Sequence, residues 1–75
     1  MNKQRRKEIE NNINSLEIIK NNLESILSDE ECYFDNMPEN LQCSIRGEES
    51  EEAIDTLSQV IDDISNCIDS LNEII

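Results

Sequence analysis

The sequence predicts an all-α protein, an antiparallel two-helix hairpin of coiled-coil type that dimerises into a four-helix bundle. Residues that break helices are confined to the middle of the chain, where Pro38 is the one Pro and Gly47 the one Gly. The stretches on either side repeat apolar residues every three or four positions, which is the spacing of a helix with one buried face. We therefore expect a single domain over residues 1–75, with helices at about 3–35 and 48–75 and a connection with a short turn at 36–47.

The first predicted helix carries one apolar stripe. The stripe follows a spacing of four, three, seven and four residues, at Ile9, Ile13, Leu16, Leu23 and Leu27. Lys20 occupies the position inside the seven-residue step, where its methylenes can lie on the apolar surface while its ammonium reaches water. Ile19 and Ile26 flank the stripe. At about 1.5 Å per residue this helix is roughly 50 Å long.

The connection is predicted to begin near Pro38, because proline cannot extend a helix and pushes the residue before it out of helical geometry. The segment from Pro38 to Gln42 opens with a proline and an acid, an order that favours one short helical turn. We expect Leu41 and Ile45 to pack beneath the connection. About ten residues are enough to reverse the chain and to place the second helix against the first.

The second predicted helix repeats every seven residues. Its seam positions alternate three and four apart, as in a left-handed coiled coil, and they are occupied by Ile54, Leu57, Ile61, Ile64, Ile68, Leu71 and Ile75. A further apolar row beside the seam consists of Ala53, Val60, Cys67 and Ile74. Three rows form a stripe too wide for one neighbouring helix, so we expect contact with two and hence a homodimer. The predicted core combines the stripe of the first helix with the seam from Ile54 to Leu71.

The charge of the chain is strongly negative and unevenly distributed. The formal net charge is −12, yet Lys3, Arg5, Arg6 and Lys7 place four of the six cations in the first seven residues. Such a surface repels nucleic acid and anionic lipid, and it attracts basic protein surfaces. The basic start is followed by Glu8 rather than by an apolar run, so we expect neither a signal peptide nor a membrane span, and a cytoplasmic location.

Residues that could perform chemistry are scarce. The chain has no His, no Gly-rich phosphate loop and no Ser in a nucleophile-elbow setting, so we expect no enzyme activity, no cofactor and no metal. The three cysteines form no Cys-x-x-Cys pair, and in a reducing compartment they are expected to remain free thiols. Cys67 is predicted to be a small core residue, whereas Cys32 and Cys43 lie in or near the connection.

The candidate binding residues are acids of the second helix and two aromatic residues. No Lys or Arg occurs from Glu48 to Ile75, so these acids have no cation on their own helix with which to pair. The acids follow rows along the helix, at Asp55, Asp62 and Asp69 every seven residues, with Glu52, Asp63 and Glu73 on adjacent lines. They are either the solvated face of an amphipathic helix or a surface for a basic partner. Tyr33 and Phe34 either close the end of the hairpin or, for the one that is exposed, anchor a partner.

Beyond these patterns, most of the chain resembles a known group of proteins. Asp35 to Gln42, Ser44, Arg46 to Glu48, Glu52 to Asp55 and the basic start from Met1 to Lys7 are similar to small acidic proteins of phages and prophages of low-GC Gram-positive bacteria. The resemblance implies a phage origin and carries no activity and no site residues.

Three hypotheses for the function follow. We favour a non-catalytic phage-type inhibitor or decoy, which could act as a nucleic-acid mimic, that binds a basic surface of a host protein such as a defence or nucleic-acid-handling factor. The second is a structural module for oligomerisation or scaffolding whose charge serves solubility. The third is a transcription regulator that uses the basic start, and for it we expect no DNA binding, because sixteen net negative charges follow that start.

Overall fold

The computed structural model describes all 75 residues, and every regular element in it is helical. The elements are α1 (Lys3–Asp35), α2 (Glu39–Gln42) and α3 (Ile45–Ile74). The two long helices, α1 and α3, pack side by side into a rod of 58 × 15 × 13 Å. The all-α prediction is confirmed, with a long extended helix pair as the main feature.

Both long helices begin at capped N-termini. In α1 the side chain of Asn2 accepts a hydrogen bond of 2.8 Å from the backbone N–H of Arg5. In α3 the hydroxyl of Ser44 accepts one of 3.5 Å from the N–H of Gly47. Each cap satisfies a backbone donor that the first helical turn leaves without a partner. Because Ser44 can cap, α3 begins at Ile45, three residues before the Glu48 start that the sequence predicted.

The core is a single seam between α1 and α3. All eleven apolar residues of the predicted core are buried or half-buried, and Ile13, Ile61 and Ile68 are the most buried of them. Lys20 is half-buried, in agreement with its predicted place in the seam. The seam extends further than predicted, since Glu30 is half-buried and its Oε1 accepts a 3.3 Å hydrogen bond from the Ser50 hydroxyl. Ser50 is only 3% exposed, so this polar contact closes the seam near the connection.

The connection is ordered by backbone and side-chain hydrogen bonds. The N–H of Asn36 donates to the carbonyl of Cys32, and the Gln42 side chain donates to the carbonyl of Phe34 at 3.0 Å. These bonds satisfy carbonyls that the last turn of α1 leaves free. The carbonyl of Pro38 accepts from the N–H groups of Leu41 and Gln42, which forms the turn of α2.

Two predictions about apolar residues are wrong, one in the connection and one in α3. Leu41 and Ile45 are exposed, Ile45 at 74%, and Met37 is the buried apolar residue there instead. Ile45 is the first residue after the Ser44 cap and points away from α1, whereas Met37 lies three residues beyond Phe34 and continues the seam. Cys67 is exposed rather than part of the core. It belongs to the apolar row beside the seam, which α1 does not cover.

We expect Ile61→Asp to unfold the chain. Loss of a buried isoleucine costs about 2–5 kcal/mol, and a core of this size supplies only about 3–5 kcal/mol in total. Far-UV circular dichroism measures the result, with Asn66→Asp as a control that adds the same charge at an exposed position of α3. A helical spectrum that survives Ile61→Asp would disprove the assigned seam.

We expect Gly47→Ala to lower the stability by about 1–3 kcal/mol, the usual cost of overpacking. A Cβ at residue 47 would overlap the backbone carbonyl of Gln42, which cannot move without disturbing α2. The clash opposes the gain of up to about 1 kcal/mol that alanine brings to a helix. Thermal unfolding followed by circular dichroism checks this, with Ser70→Ala as the control. A melting temperature for Gly47→Ala equal to or higher than that of wild type would show that the close approach of residue 47 to the Gln42 backbone does not require glycine.

Candidate functional site

The six acids predicted as binding residues on α3 are all exposed, but they do not share one face. In a left-handed helix pair, residues seven apart form a row parallel to the seam. Asp55, Asp62 and Asp69 form one such row. Glu52 and Glu73 belong to another, on the side of α3 that faces away from α1. Asp63 lies apart from both and accepts a hydrogen bond of 2.9 Å from the side chain of Gln59.

A shallow cleft brings acids from both long helices together near the connection. Its volume is about 270 Å³, and it is lined by Glu31, Phe34 and Asp35 of α1 and by Glu51, Ile54 and Asp55 of α3. Phe34 and Ile54 are half-buried seam residues and supply an apolar surface, while the four exposed carboxylates surround it. Ionised carboxylates only accept hydrogen bonds, so the cleft suits a positively charged donor with an apolar stem.

The cleft also shows which rows of acids lie on the same side of the helix pair. Because Glu31 and Asp55 both line it, the seven-residue rows that contain them run along one side of the seam. We name this side the acidic flank, and it consists of Glu10, Glu17, Glu24 and Glu31 on α1 and Glu48, Asp55, Asp62 and Asp69 on α3. All eight residues are exposed.

The α1 row of the acidic flank was missed from the sequence. Its seven-residue spacing is visible in the residues themselves, at Glu10, Glu17, Glu24 and Glu31. Spacing alone does not say on which side of a partner helix a row will lie. That assignment needs the pairing of α1 with α3, which the cleft provides.

Almost none of the negative charge is neutralised within the chain. The single ion pair joins Lys7 Nζ to Glu10 Oε2 at 3.8 Å. Its side chains are 70% and 56% exposed, and pairs of that kind contribute about 0–1 kcal/mol at most. The other seventeen of the eighteen acids make no ion pair. The acidic flank is therefore a source of unbalanced negative potential.

The opposite side of the seam is apolar. Tyr33 directly precedes Phe34 in sequence, and Ala53 directly precedes Ile54. Phe34 and Ile54 lie in the seam, and on a helix the residue directly before such a seam residue lies on the side of the seam opposite the acidic flank. We name this side the apolar flank, and it consists of Ile19, Ile26 and Tyr33 on α1 and Ala53, Val60, Cys67 and Ile74 on α3. Tyr33 and Phe34 are thus separated, because Phe34 borders the acidic cleft while Tyr33 is 48% exposed on the apolar flank.

The acids and thiols of the chain do not assemble a metal centre. Four carboxylates line the cleft, but no group of three or more Cys, Asp or Glu residues has the arrangement needed to hold a metal ion. Cys32, Cys43 and Cys67 are free and exposed.

Neither of the long helices contains an apolar stretch of the length and hydropathy needed to cross a membrane. Comparisons with known proteins give no match to a protein family, to a curated protein or to a solved structure.

We expect salt to stabilise the fold by about 1 kcal/mol, the sum of several like-charge repulsions of about 0.2–0.5 kcal/mol each. Raising the salt concentration from 0.1 to 1 M shortens the Debye length from about 10 to about 3 Å and so screens the acidic flank. Thermal unfolding at both concentrations measures the gain. The double variant Glu31→Gln, Asp55→Asn removes two acids of the cleft and should gain less. An identical gain in wild type and variant would show that the cleft carboxylates do not repel one another.

Proposed function

We propose that this chain is a non-catalytic acidic protein-interaction module, a phage-type inhibitor or decoy that binds a basic surface of a host protein. The observation that carries the proposal is the alignment of eight exposed carboxylates on the acidic flank in a chain where seventeen of eighteen acids make no ion pair. Like charges four residues apart on a helix, as at Glu31 and Asp35 or Glu51 and Asp55, lower stability, and a basic partner would remove that cost. The host protein would be a defence or nucleic-acid-handling factor in the bacterial cytoplasm, and no direct contact with nucleic acid or membrane is proposed.

The spacing of the carboxylates supports a nucleic-acid mimic. Each row of the acidic flank spans 21 residues, or about 32 Å at 1.5 Å per residue. Eight carboxylates over that length give one charge per roughly 4 Å, close to the 3.4 Å per phosphate of a single DNA strand and less than half the charge density of a duplex. A groove that tracks one strand is therefore a better match to the acidic flank than a site that encloses a duplex.

The cleft offers a specific contact within this surface. A Lys or Arg side chain of the partner can lay its methylenes on Phe34 and Ile54 and place its cation among Glu31, Asp35, Glu51 and Asp55. Charge-assisted hydrogen bonds of this kind are the stronger ones, and a guanidinium can make two at once. In this contact the half-buried Phe34 belongs to the partner site. Tyr33, the exposed aromatic that the sequence analysis offered as an anchor, belongs to the apolar flank and lies outside this contact.

The proposal includes the antiparallel hairpin and its pairing into a four-helix bundle. A nine-residue connection separates α1 from α3. Nine residues reach about 30 Å at most, less than the length of either long helix, so only a chain reversal lets the helices lie side by side within a rod of 58 Å. The uncovered apolar flank favours a dimer, because a two-helix seam leaves it open to water.

A structural oligomerisation or scaffolding module is the alternative, and the apolar flank is the observation that favours it. In that case the charge would serve solubility alone. The two functions differ in their response to salt, since an electrostatic partner dissociates as the Debye length shortens while apolar contacts persist.

The test is an affinity pull-down from a lysate of a low-GC Gram-positive bacterium, with immobilised wild type and two triple variants. The flank variant carries Asp55→Asn, Asp62→Asn and Asp69→Asn. The matched control carries Glu52→Gln, Asp63→Asn and Glu73→Gln, which removes the same charge from α3 outside the acidic flank. We expect a partner that wild type and control retain, that the flank variant loses, and that elutes between about 0.1 and 0.5 M salt.

Equal recovery by both triple variants would contradict a role for the acidic flank. A partner that is retained by all three proteins and resists salt would instead support the scaffolding module. Duplex and single-stranded DNA added to the wash test the mimic, because a partner held at its nucleic-acid site should be released, and by the single strand at lower concentration.

A further inference from the structure

We infer that a second copy of the chain docks on the apolar flank with its ends reversed, so that the connection of one copy lies beside the N-terminus of the other. The inference rests on the hairpin and dimer proposed above and specifies the surface and the orientation. The two acidic flanks then face outwards on opposite sides of the bundle, which makes the assembly bivalent for a basic partner.

The apolar flank has the properties of a buried interface. Its rows contain no charged residue from Ile19 to Tyr33 or from Ala53 to Ile74, although 32% of the chain is charged. Ile19, Ile26 and Ile74 are about half exposed, at 48%, 53% and 50%. The flank extends along about 32 Å of α3, on a chain whose accessible surface is 5564 Å², of which a standard protein interface would take roughly 800 Å² per partner.

The incomplete core identifies the occupant as a second copy. No side chain in the chain is fully buried, and even the most buried seam residue, Ile68, is 5% exposed. A two-helix seam cannot enclose its own residues, whereas two such pairs stacked on their apolar flanks form the closed core of a four-helix bundle. In a two-fold dimer the same surface of each copy faces the other, so that surface must be complementary to itself. Two apolar flanks meet this requirement.

The charges at the two ends determine the orientation. Residues 29–55, around the connection, contain ten acids and one cation, Arg46. The opposite end carries the cluster of Lys3, Arg5, Arg6 and Lys7, which offsets the acids near both termini. With like ends together, two strongly negative regions would meet; with the ends reversed, each lies beside a basic cluster.

The apolar flank itself shows the same complementarity. Near the connection it holds a groove of about 500 Å³ lined by Ala53, Thr56 and Leu57, with Glu49 and Glu52 at its edge. Arg5 is fourteen residues before Ile19 and so continues the α1 row of the apolar flank at the other end. With the ends reversed, Arg5 of one copy therefore lies near Glu49 and Glu52 of the other copy, beside the apolar groove.

The first experiment tests the surface by measuring molar mass and dimer dissociation constant in sedimentation equilibrium. Ile26→Glu places a charge on the apolar flank, and Ile18→Glu is its matched control, since Ile18 is 61% exposed away from that flank. We expect a dimer whose dissociation constant rises at least about 100-fold in Ile26→Glu, because two apolar side chains lose their burial, and changes little in Ile18→Glu. A monomeric wild type, or equal effects of the two variants, would overturn the proposal.

The second experiment tests the orientation in a chain whose apolar flank stays apolar. A spin label is attached to Cys43, exposed in the connection, in a chain with Cys32→Ser and Cys67→Ala, and the distance between labels is measured by pulsed dipolar spectroscopy. Reversed ends place the labels about 50 Å apart along the 58 Å rod. Like ends place them within about 25 Å, because neighbouring helices are 8–10 Å apart, and that result would overturn the reversed arrangement.

Neither experiment involves the host protein, so the dimer and the proposed function can fail separately. A monomer that still loses its host partner in the Asp55, Asp62 and Asp69 variant would leave the acidic flank standing and overturn only the docking of a second copy.

Discussion

The seam between α1 and α3 is the contact on which the other features depend. It is narrow, and two of its positions carry charged residues, Lys20 and Glu30. The hydrogen bond from Ser50 to Glu30 satisfies one of them in a place where an unpartnered polar group would be costly. Residues seven apart keep a constant position relative to such a seam. The pairing of α1 with α3 therefore determines whether each other residue of the long helices lies on a flank or on the outer surface.

That sorting separates two kinds of surface on a small chain. Residues one step before the seam form the apolar flank, while the acids of the acidic flank repeat on its other side. A partner that binds by charge and a partner that binds by apolar burial would then occupy different surfaces. The unpaired carboxylates lower the stability of the isolated chain, and burial of the apolar flank would offset that loss.

Much of this architecture could be predicted from the sequence, because seven-residue repeats report directly on helix packing. The helical class, the eleven core residues and the seam position of Lys20 follow from spacing alone. Spacing does not predict the exposure of Cys67 and Ile45, the burial of Met37 or the side of the seam on which the glutamates of α1 lie. Each of these depends on where one helix lies relative to the other. The Ser44 cap could have been read from the sequence, but the acidic run after Gly47 gave the stronger signal for a helix start.

The register of the seam is the most direct test of the account, because both flanks follow from it. The hydrogen bond from Ser50 to Glu30 joins the two helices at one level of the seam, and seven-residue steps from it in opposite directions put Leu23 beside Leu57. Nuclear Overhauser contacts between methyl groups measure this pairing. We predict contacts from Leu23 to Leu57. Contacts from Leu23 to Ile64 instead, one heptad away, or none between the helices, would contradict the pairing and with it the assignment of both flanks.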